Sequence, residues 1–270
     1  MKYIPIYLTA LALCFAATSF SQYSEVILSD RTANTLSPYT VGKKTIQVQV
    51  GFRQDRSSYE RSSLGNFGTS RITDSRDNDG SLKLRFGLFE KLEIIGLVGA
   101  QESGTVNDDI PKLREPTYGF GARINLYEGK DAIPAVGFEG LLSESYGFWD
   151  IDMTLALRSD FTERFAVGAN ASWRVDHRIS FSLKPEFAIK PGIGVFAEAL
   201  YRQFNNRLIN NDGVYDLKEL SAGLGAYFVL GENFVIDGSA GTVIESNERN
   251  YSVLPWYFDI GVSYRFDWRN

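Results

Sequence analysis

Residues 256–266 read W-Y-F-D-I-G-V-S-Y-R-F, and their alternation decides the fold class. Every second residue from Trp256 is apolar or aromatic: Trp256, Phe258, Ile260, Val262, Tyr264 and Phe266. The interleaved set, Tyr257, Asp259, Gly261, Ser263 and Arg265, is polar or small apart from Tyr257. Side chains alternate sides along a strand, so this segment has one greasy face and one wet face. A soluble sandwich would turn the greasy face inward, and a membrane barrel would turn it outward. The rest of the chain has to decide between them.

The same period recurs along the whole sequence. Residues 45–53 set Ile46, Val48, Val50 and Phe52 against Gln47, Gln49, Gly51 and Arg53. Residues 117–127 set Tyr118, Phe120, Ala122, Ile124 and Leu126 against Gly119, Gly121, Arg123 and Asn125. Further alternating segments lie at about 81–88, 92–101, 133–142, 150–159, 165–175, 179–189, 193–202, 218–229 and 234–243, making twelve with the last. Residues 92–101 are the least clear, because Ile94-Ile95 and Leu97-Val98 are doublets. No helix-period stretch intervenes.

The connections give an independent test. Those after odd strands are expected to be long loops, at 55–80, 102–115, 143–149, 205–216 and 245–254, with the link after the seventh strand as the exception. Those after even strands are short, at 89–91, 128–131, 160–164, 190–192 and 230–233. Outer-membrane barrels have short periplasmic turns and longer extracellular loops. An even strand count then puts both ends of the barrel in the periplasm. Trp149, Trp173, Trp256 and Trp268 fall at or near strand ends, where interfacial girdles belong. Lipid offers no hydrogen bonds, so only a closed sheet satisfies every strand backbone. The expected fold is all-β, an antiparallel up-and-down transmembrane barrel of about twelve strands.

Composition agrees. The chain has 270 residues, 23% of them charged, too polar for a bundle of membrane helices. No mature stretch reaches the ~18 apolar residues a spanning helix needs. A net charge of -5 argues against a nucleic-acid partner, which calls for a basic face. Lys2 followed by apolar residues 4–17 and small residues at Ser19 and Ser21 reads as a signal peptide over 1–21. Cys14, the sole cysteine, lies within it, and bulky Leu13 argues against a lipoprotein reading. The mature chain therefore makes no disulfide or thiolate metal site. Residues 22–44 form a polar leader, and residues 45–270 the barrel. The leader, with its Asp30-Arg31 pair, could plug the lumen, rest at the periplasmic mouth or hang as a disordered tether.

Charges on the lipid face would cost about 2–4 kcal/mol each at midplane. The inner faces therefore receive Lys83, Arg85, Arg123, Glu139, Asp152, Arg158, Arg174, Lys184, Glu186, Glu198, Arg202, Glu219, Asp237, Asp259 and Arg265. They could steer solutes through a polar pore. They could equally pair across strands and fill a narrow barrel, the reading favoured for most of them. Both signs are present, so no single-sign selectivity ring is evident. His177, the sole histidine, reads as a turn residue; Ser172 and Ser180 nearby leave a lipid-hydrolysing pair as the alternative. No cofactor or metal site is expected.

Two resemblances bear on identity. Asp259-x-Gly261-x-x-Tyr264-x-Phe266 resembles the terminal recognition signal by which outer-membrane barrels are inserted. That implies the outer-membrane assembly machinery as a partner, beside the lipid bilayer. Ile27-Leu28-Ser29-Asp30-Arg31, Ser37-Pro38-Tyr39-Thr40-Val41, Leu84-Arg85-Phe86-Gly87-Leu88, Phe196-Ala197-Glu198, Ile236-Asp237-Gly238-Ser239-Ala240-Gly241 and Gly261-Val262-Ser263-Tyr264-Arg265-Phe266 resemble signposts of an outer-membrane transporter family labelled for a meta-pathway of phenol degradation. Thr32, Leu36 and Gly42 depart from that family's usual proline, glutamate and proline. The resemblance implies a transporter or porin-like channel for small solutes, hydrophobic or aromatic ones among them, and no enzyme. A lipid-modifying enzyme and a non-conducting barrel that binds a partner through loops 55–80 and 102–115 stay open as alternatives.

Overall fold

Period-2 alternation gives each strand two faces of opposite polarity, and closure into a barrel lets one face line a lumen and the other meet lipid. The computed structural model describes residues 35–62, 70–105, 113–130, 133–145, 148–175, 178–204, 217–246 and 251–267. The signal-peptide segment, Asp30, Arg31, His177 and Trp268 lie outside them. Twelve strands run β1 (Thr45–Ser62), β2 (Ser70–Phe89), β3 (Leu92–Thr105), β4 (Leu113–Tyr127), β5 (Ala135–Ser145), β6 (Phe148–Asp160), β7 (Phe165–Arg174), β8 (Arg178–Lys190), β9 (Ile193–Phe204), β10 (Leu217–Leu230), β11 (Phe234–Ser246) and β12 (Tyr251–Asp267). Each pairs antiparallel with its sequence neighbours, and β1 pairs with β12 to close the barrel.

The closing register runs Ile46↔Phe266, Val48↔Tyr264, Val50↔Val262 and Phe52↔Ile260, greasy row against greasy row. Those side chains are all exposed on the outer wall except Ile46 and Val48, which are less so. The inner row of the same strands, Gln47, Gln49 and Ser263, is almost fully buried. Exposed apolar side chains continue round the wall, from Leu84 and Ile94 to Leu183 and Leu224. An apolar exterior enclosing a polar interior is the arrangement lipid demands. Trp149, Trp173 and Trp256 all face outward at the rim opposite the chain ends. Phe89, Phe165, Tyr264 and Phe266 do so at the rim that carries them, completing two girdles.

The strands correct the expected loops. Residues 55–80 are not one irregular loop: β1 and β2 stay in register from Ile46↔Phe86 out to Ser62↔Ser70, leaving only 63–69 between them. Likewise β3 and β4 pair as far as Ser103↔Leu113, and β5 and β6 as far as Ser145↔Phe148, replacing half of 102–115 and most of 143–149. These extensions stand beyond the apolar belt, where both faces are polar and alternation of hydrophobicity vanishes while backbone pairing continues. On the same rim the connection 205–216 keeps its expected bounds between Phe204 and Leu217, while 245–254 shortens to 247–250. In β3 the doublets resolve cleanly: Ile95 is fully buried inside while Ile94 and Val98 lie outside.

Inward glycines answer inward aromatics. A Cβ at Gly223 or Gly241 would overlap the Tyr257 ring, and one at Gly225 would overlap Phe196. Tyr257, the one bulky side chain on the wet face of β12, thus lies flat over glycines of β10 and β11. Its exception to the alternation is a packing device on the lumen wall.

Candidate functional site in the lumen

The site is built by residues 35–44, which cross the lumen before β1 begins. At one end, the Thr35 hydroxyl lies 2.8 Å from Ser182 Oγ on β8 and donates to Glu198 Oε1 on β9 at 2.7 Å. Asn170 on β7, with its amide oxygen turned to the Leu36 N–H, accepts from it and donates to the Leu36 carbonyl at 3.1 Å. Asn125 Nδ2 on β4 donates to the Pro38 carbonyl at 3.2 Å. The Tyr39 carbonyl accepts from Arg85 Nη2 at 3.0 Å and from Arg123 Nη1 at 3.3 Å. The Val41 N–H donates to Glu93 Oε2 at 2.7 Å, and the Lys44 N–H to the Gly87 carbonyl at 3.1 Å. The leader thus spans from the β8–β9 wall to the β2–β3 wall, anchored at each step.

The wall is shaped for it. A Cβ at Gly87 would overlap the Gly42 carbonyl, and one at Gly137 would meet Pro38 Cα at 2.6 Å. Gly42 itself has φ 85°, a conformation closed to proline with its φ near −65°. A positive φ of this kind favours glycine, and Gly42 lets the leader turn from the lumen into β1.

Beneath the leader runs an alternating chain of charges across four strands. Arg85 grips Glu93 with two bonds, Nε to Oε1 at 2.8 Å and Nη2 to Oε2 at 2.9 Å. Glu93 Oε1 lies 3.7 Å from Arg123 Nε, which in turn donates to Glu139 Oε2 at 3.0 Å. Arg123 Nη2 makes a second bond to Glu139, and Lys83 Nζ closes the series 3.4 Å from it. Arg85, Arg123 and Glu93 are at most 2% exposed. Buried charges are tolerated because each has an opposite neighbour and further hydrogen bonds. Three of these bonds are made to the leader's own backbone, two at the Tyr39 carbonyl and one at the Val41 N–H.

Other inner charges pair locally. Arg158 donates to Glu186 Oε2 at 2.8 Å and to Asp160 at 2.9 Å, with Lys184 2.8 Å from Glu186 on its other oxygen. Asp152 takes both Arg174 Nε at 2.7 Å and Nη2 at 2.5 Å, and lies 3.5 Å from Arg178. Arg202 and Glu219 approach to 3.7 Å, and Arg265 to 3.4 Å of Asp267. Asp237 is buried on the inner row of β11, and Asp259 is half-buried on that of β12. The inner residues therefore form several clusters, of which the one joining Arg85, Glu93, Arg123, Glu139 and Lys83, together with Glu198 at Thr35, belongs to the leader's seat. Gly261 pairs with Gly51 of β1, while Tyr264 and Phe266 stack edge to face at 4.4 Å on the outer wall.

Toward the opposite rim the lumen opens into a cavity of about 250 Å³. Asp79, Ser81, Gln101, Thr117, Asp150 and Arg174 give it polar walls, and Leu97 an apolar patch. Among the described residues no cluster of side chains could hold a metal ion.

Glu93 is the residue that pattern reading missed. The doublets in β3 hid which row faces inward, although a glutamate in a lipid-spanning strand has only the inner row open to it. Reading Glu93, Ile95, Leu97 and Gly99 as one row would have found it. The leader's seat was less accessible, since most of its bonds go to backbone groups that every residue type carries.

No family model matches the sequence, and no curated protein matches it. Solved structures do. An outer-membrane channel from Pseudomonas putida F1 superposes with a TM-score of 0.62 at 13% identity, covering 92% of this chain and 100% of that one. The toluene transporter TodX of Pseudomonas putida gives 0.51 at 9% identity, over 92% and 99%. The porin KdgM, in a complex with disordered oligogalacturonate, gives 0.51 at 8% identity, over 81% and 99%. At these identities the likeness is one of fold. Together with the apolar outer wall, it gives this chain the fold of an outer-membrane β-barrel.

Proposed function

We propose that the protein is an outer-membrane channel for small solutes, gated by its own leader. The rim with the chain ends then faces the periplasm, and the extended hairpins face outside. The observation that carries this reading is the leader's seat: a segment of the chain lies across a charge-lined lumen and is held there by hydrogen bonds to its walls. Polar contacts of this kind exchange for water when a segment withdraws, so the seat can empty without stranding groups in a dry core. The likeness to a channel, a porin and a transporter supports the reading without naming a solute. The polar cavity above the leader favours small polar solutes. The resemblance of the leader and strand-end motifs to the phenol-labelled family keeps aromatic ones within the proposal.

Single-channel recording in planar bilayers tests it. The full chain is expected to give small, intermittent currents, and a chain lacking residues 22–44 larger and steadier ones. Gly87→Ala, which places a methyl against the Gly42 carbonyl, is expected to resemble the deletion in milder form. No conductance from any of the three would remove the channel reading and favour a non-conducting barrel. Swelling of vesicles in phenol, in a sugar and in an amino acid then ranks the solutes.

A further inference from the structure

On the outer wall, just beyond the apolar belt on the rim away from the chain ends, two arginines face each other across neighbouring strands. Arg56 of β1 is the register partner of Arg76 of β2. Both continue the outward row of Val50 and Phe52, and Arg56 confirms its side by standing over the outward Trp256 ring, 5.6 Å from its centroid. Like charges directly opposite on one face of a sheet repel. Inside the barrel, arginines are matched: Arg53, three residues before Arg56, holds Asp55 at 2.8 Å. Outside, the partners of Arg76 are neutral amides, Asn78 Oδ1 at 3.3 Å and Gln54, whose oxygen, once turned to face it, accepts at 2.7 Å. Among the described residues no carboxylate pairs with Arg56 or Arg76. The period-2 rule sends Asp55, Asp77 and Asp79 to the lumen face.

Below the pair the wall turns greasy and aromatic. Trp256 stands opposite Arg56, Phe258 opposite Gln54, and Ile260 opposite Phe52. Cationic forks over an aromatic and aliphatic wall, at headgroup depth, match an amphiphile with an anionic head and acyl chains. We propose that Arg56, Arg76 and Trp256 form a binding site for a phosphorylated lipid of the outer leaflet, phosphate between the two guanidinium groups and acyl chains along Phe258, Phe52 and Ile260. This inference concerns the lipid-facing wall and stands whether or not the lumen conducts.

The test uses the full chain purified in detergent, with thermal unfolding and native mass spectrometry as readouts. Diphosphorylated lipid A is expected to raise Tm and to be retained as a single adduct. The same lipid stripped of its phosphates is expected to do neither. The R56Q/R76Q double variant should bind lipid A about tenfold more weakly, the loss expected when charge-assisted bonds to phosphate are removed. Arg164→Gln, an exposed arginine at the other rim, should bind as the parent does. Inorganic phosphate alone should leave Tm unchanged; a shift equal to that of lipid A would make this a free-phosphate site and overturn the lipid assignment. Equal stabilisation by the phosphate-free lipid overturns it too, and needs no variant to fold.

Discussion

Glu93 shows how one buried carboxylate can tie a barrel wall to a segment that is not part of the wall. It accepts two bonds from Arg85 and one from the Val41 N–H, and faces Arg123 at 3.7 Å. Removing one partner of a buried ion pair strands the other in a poorly solvated place, which costs about 3–5 kcal/mol. Glu93→Ala takes the bidentate carboxylate from Arg85, while Arg123 keeps Glu139. It is expected to lose stability within that range, measured by reversible unfolding from lipid vesicles in urea. Arg202→Ala provides the contrast. Its pair with Glu219 spans 3.7 Å between half-buried side chains, a longer and less enclosed contact than that of Arg85 with Glu93, so its loss should cost less than the loss of Glu93. Equal losses from the two variants would show that the charge chain under the leader is no more than wall filling. At this scale the sequence was informative about which side of the wall a charge takes and silent about its partner. Arg123 reads as an inner residue from its position in an alternating strand. That it shares the Tyr39 carbonyl with Arg85 depends on where a non-alternating segment runs, and no side-chain pattern encodes that.

At the scale of the strand, legibility followed the lipid. Where one face meets acyl chains and the other meets water, hydrophobic alternation is obligatory: β10 could be read almost to the residue, and β4 and β12 could be at the rim of the chain ends, though both start earlier than expected at the other rim. Where the sheet leaves the belt, as in β1 and β2 beyond Phe52 and Gly80, both faces are wet and the same backbone ladder continues under a sequence without period. The β3 doublets mark a third case, in which Ile95 and Leu97 are apolar residues of the lumen and blur the contrast between faces. The outer row carries its own prediction. Leu224 is the most exposed of the large apolar side chains on the barrel, at 70%, and sits mid-strand in β10. If its neighbour is lipid, Leu224→Arg should destabilise the folded barrel by about 2–4 kcal/mol in vesicles. The same substitution on an exposed face in water would be nearly neutral, so a change under about 0.5 kcal/mol would contradict an acyl-chain environment at that depth.

For the whole molecule the question is whether the leader is a fixed filling or a movable gate, and a reversible tether separates them. Thr35 and Ser182 place their hydroxyl oxygens 2.8 Å apart across the lumen, side chains aimed at each other from the leader and from β8. Cysteines at both positions would set two thiols facing each other across the same gap, which oxidation can close into a disulfide. The background is clean, because the only native cysteine is Cys14, within the segment read as a signal peptide. In the oxidised Thr35→Cys/Ser182→Cys protein the leader cannot leave the β8 wall, and the remaining bonds to Asn125, Arg85, Arg123 and Glu93 act on a segment held at both ends. Currents are then expected to fall to baseline and to return when reductant is added, with the barrel's resistance to unfolding in detergent unchanged. Each single cysteine variant should conduct as the parent does, since neither can close the tether. Oxidised and reduced forms that conduct alike would mean that solutes pass beside a leader that never moves. Conductance would then be set by the bore left open along the β10–β12 wall, where Tyr257 and Phe196 pack over their glycines, and not by the occupancy of the seat.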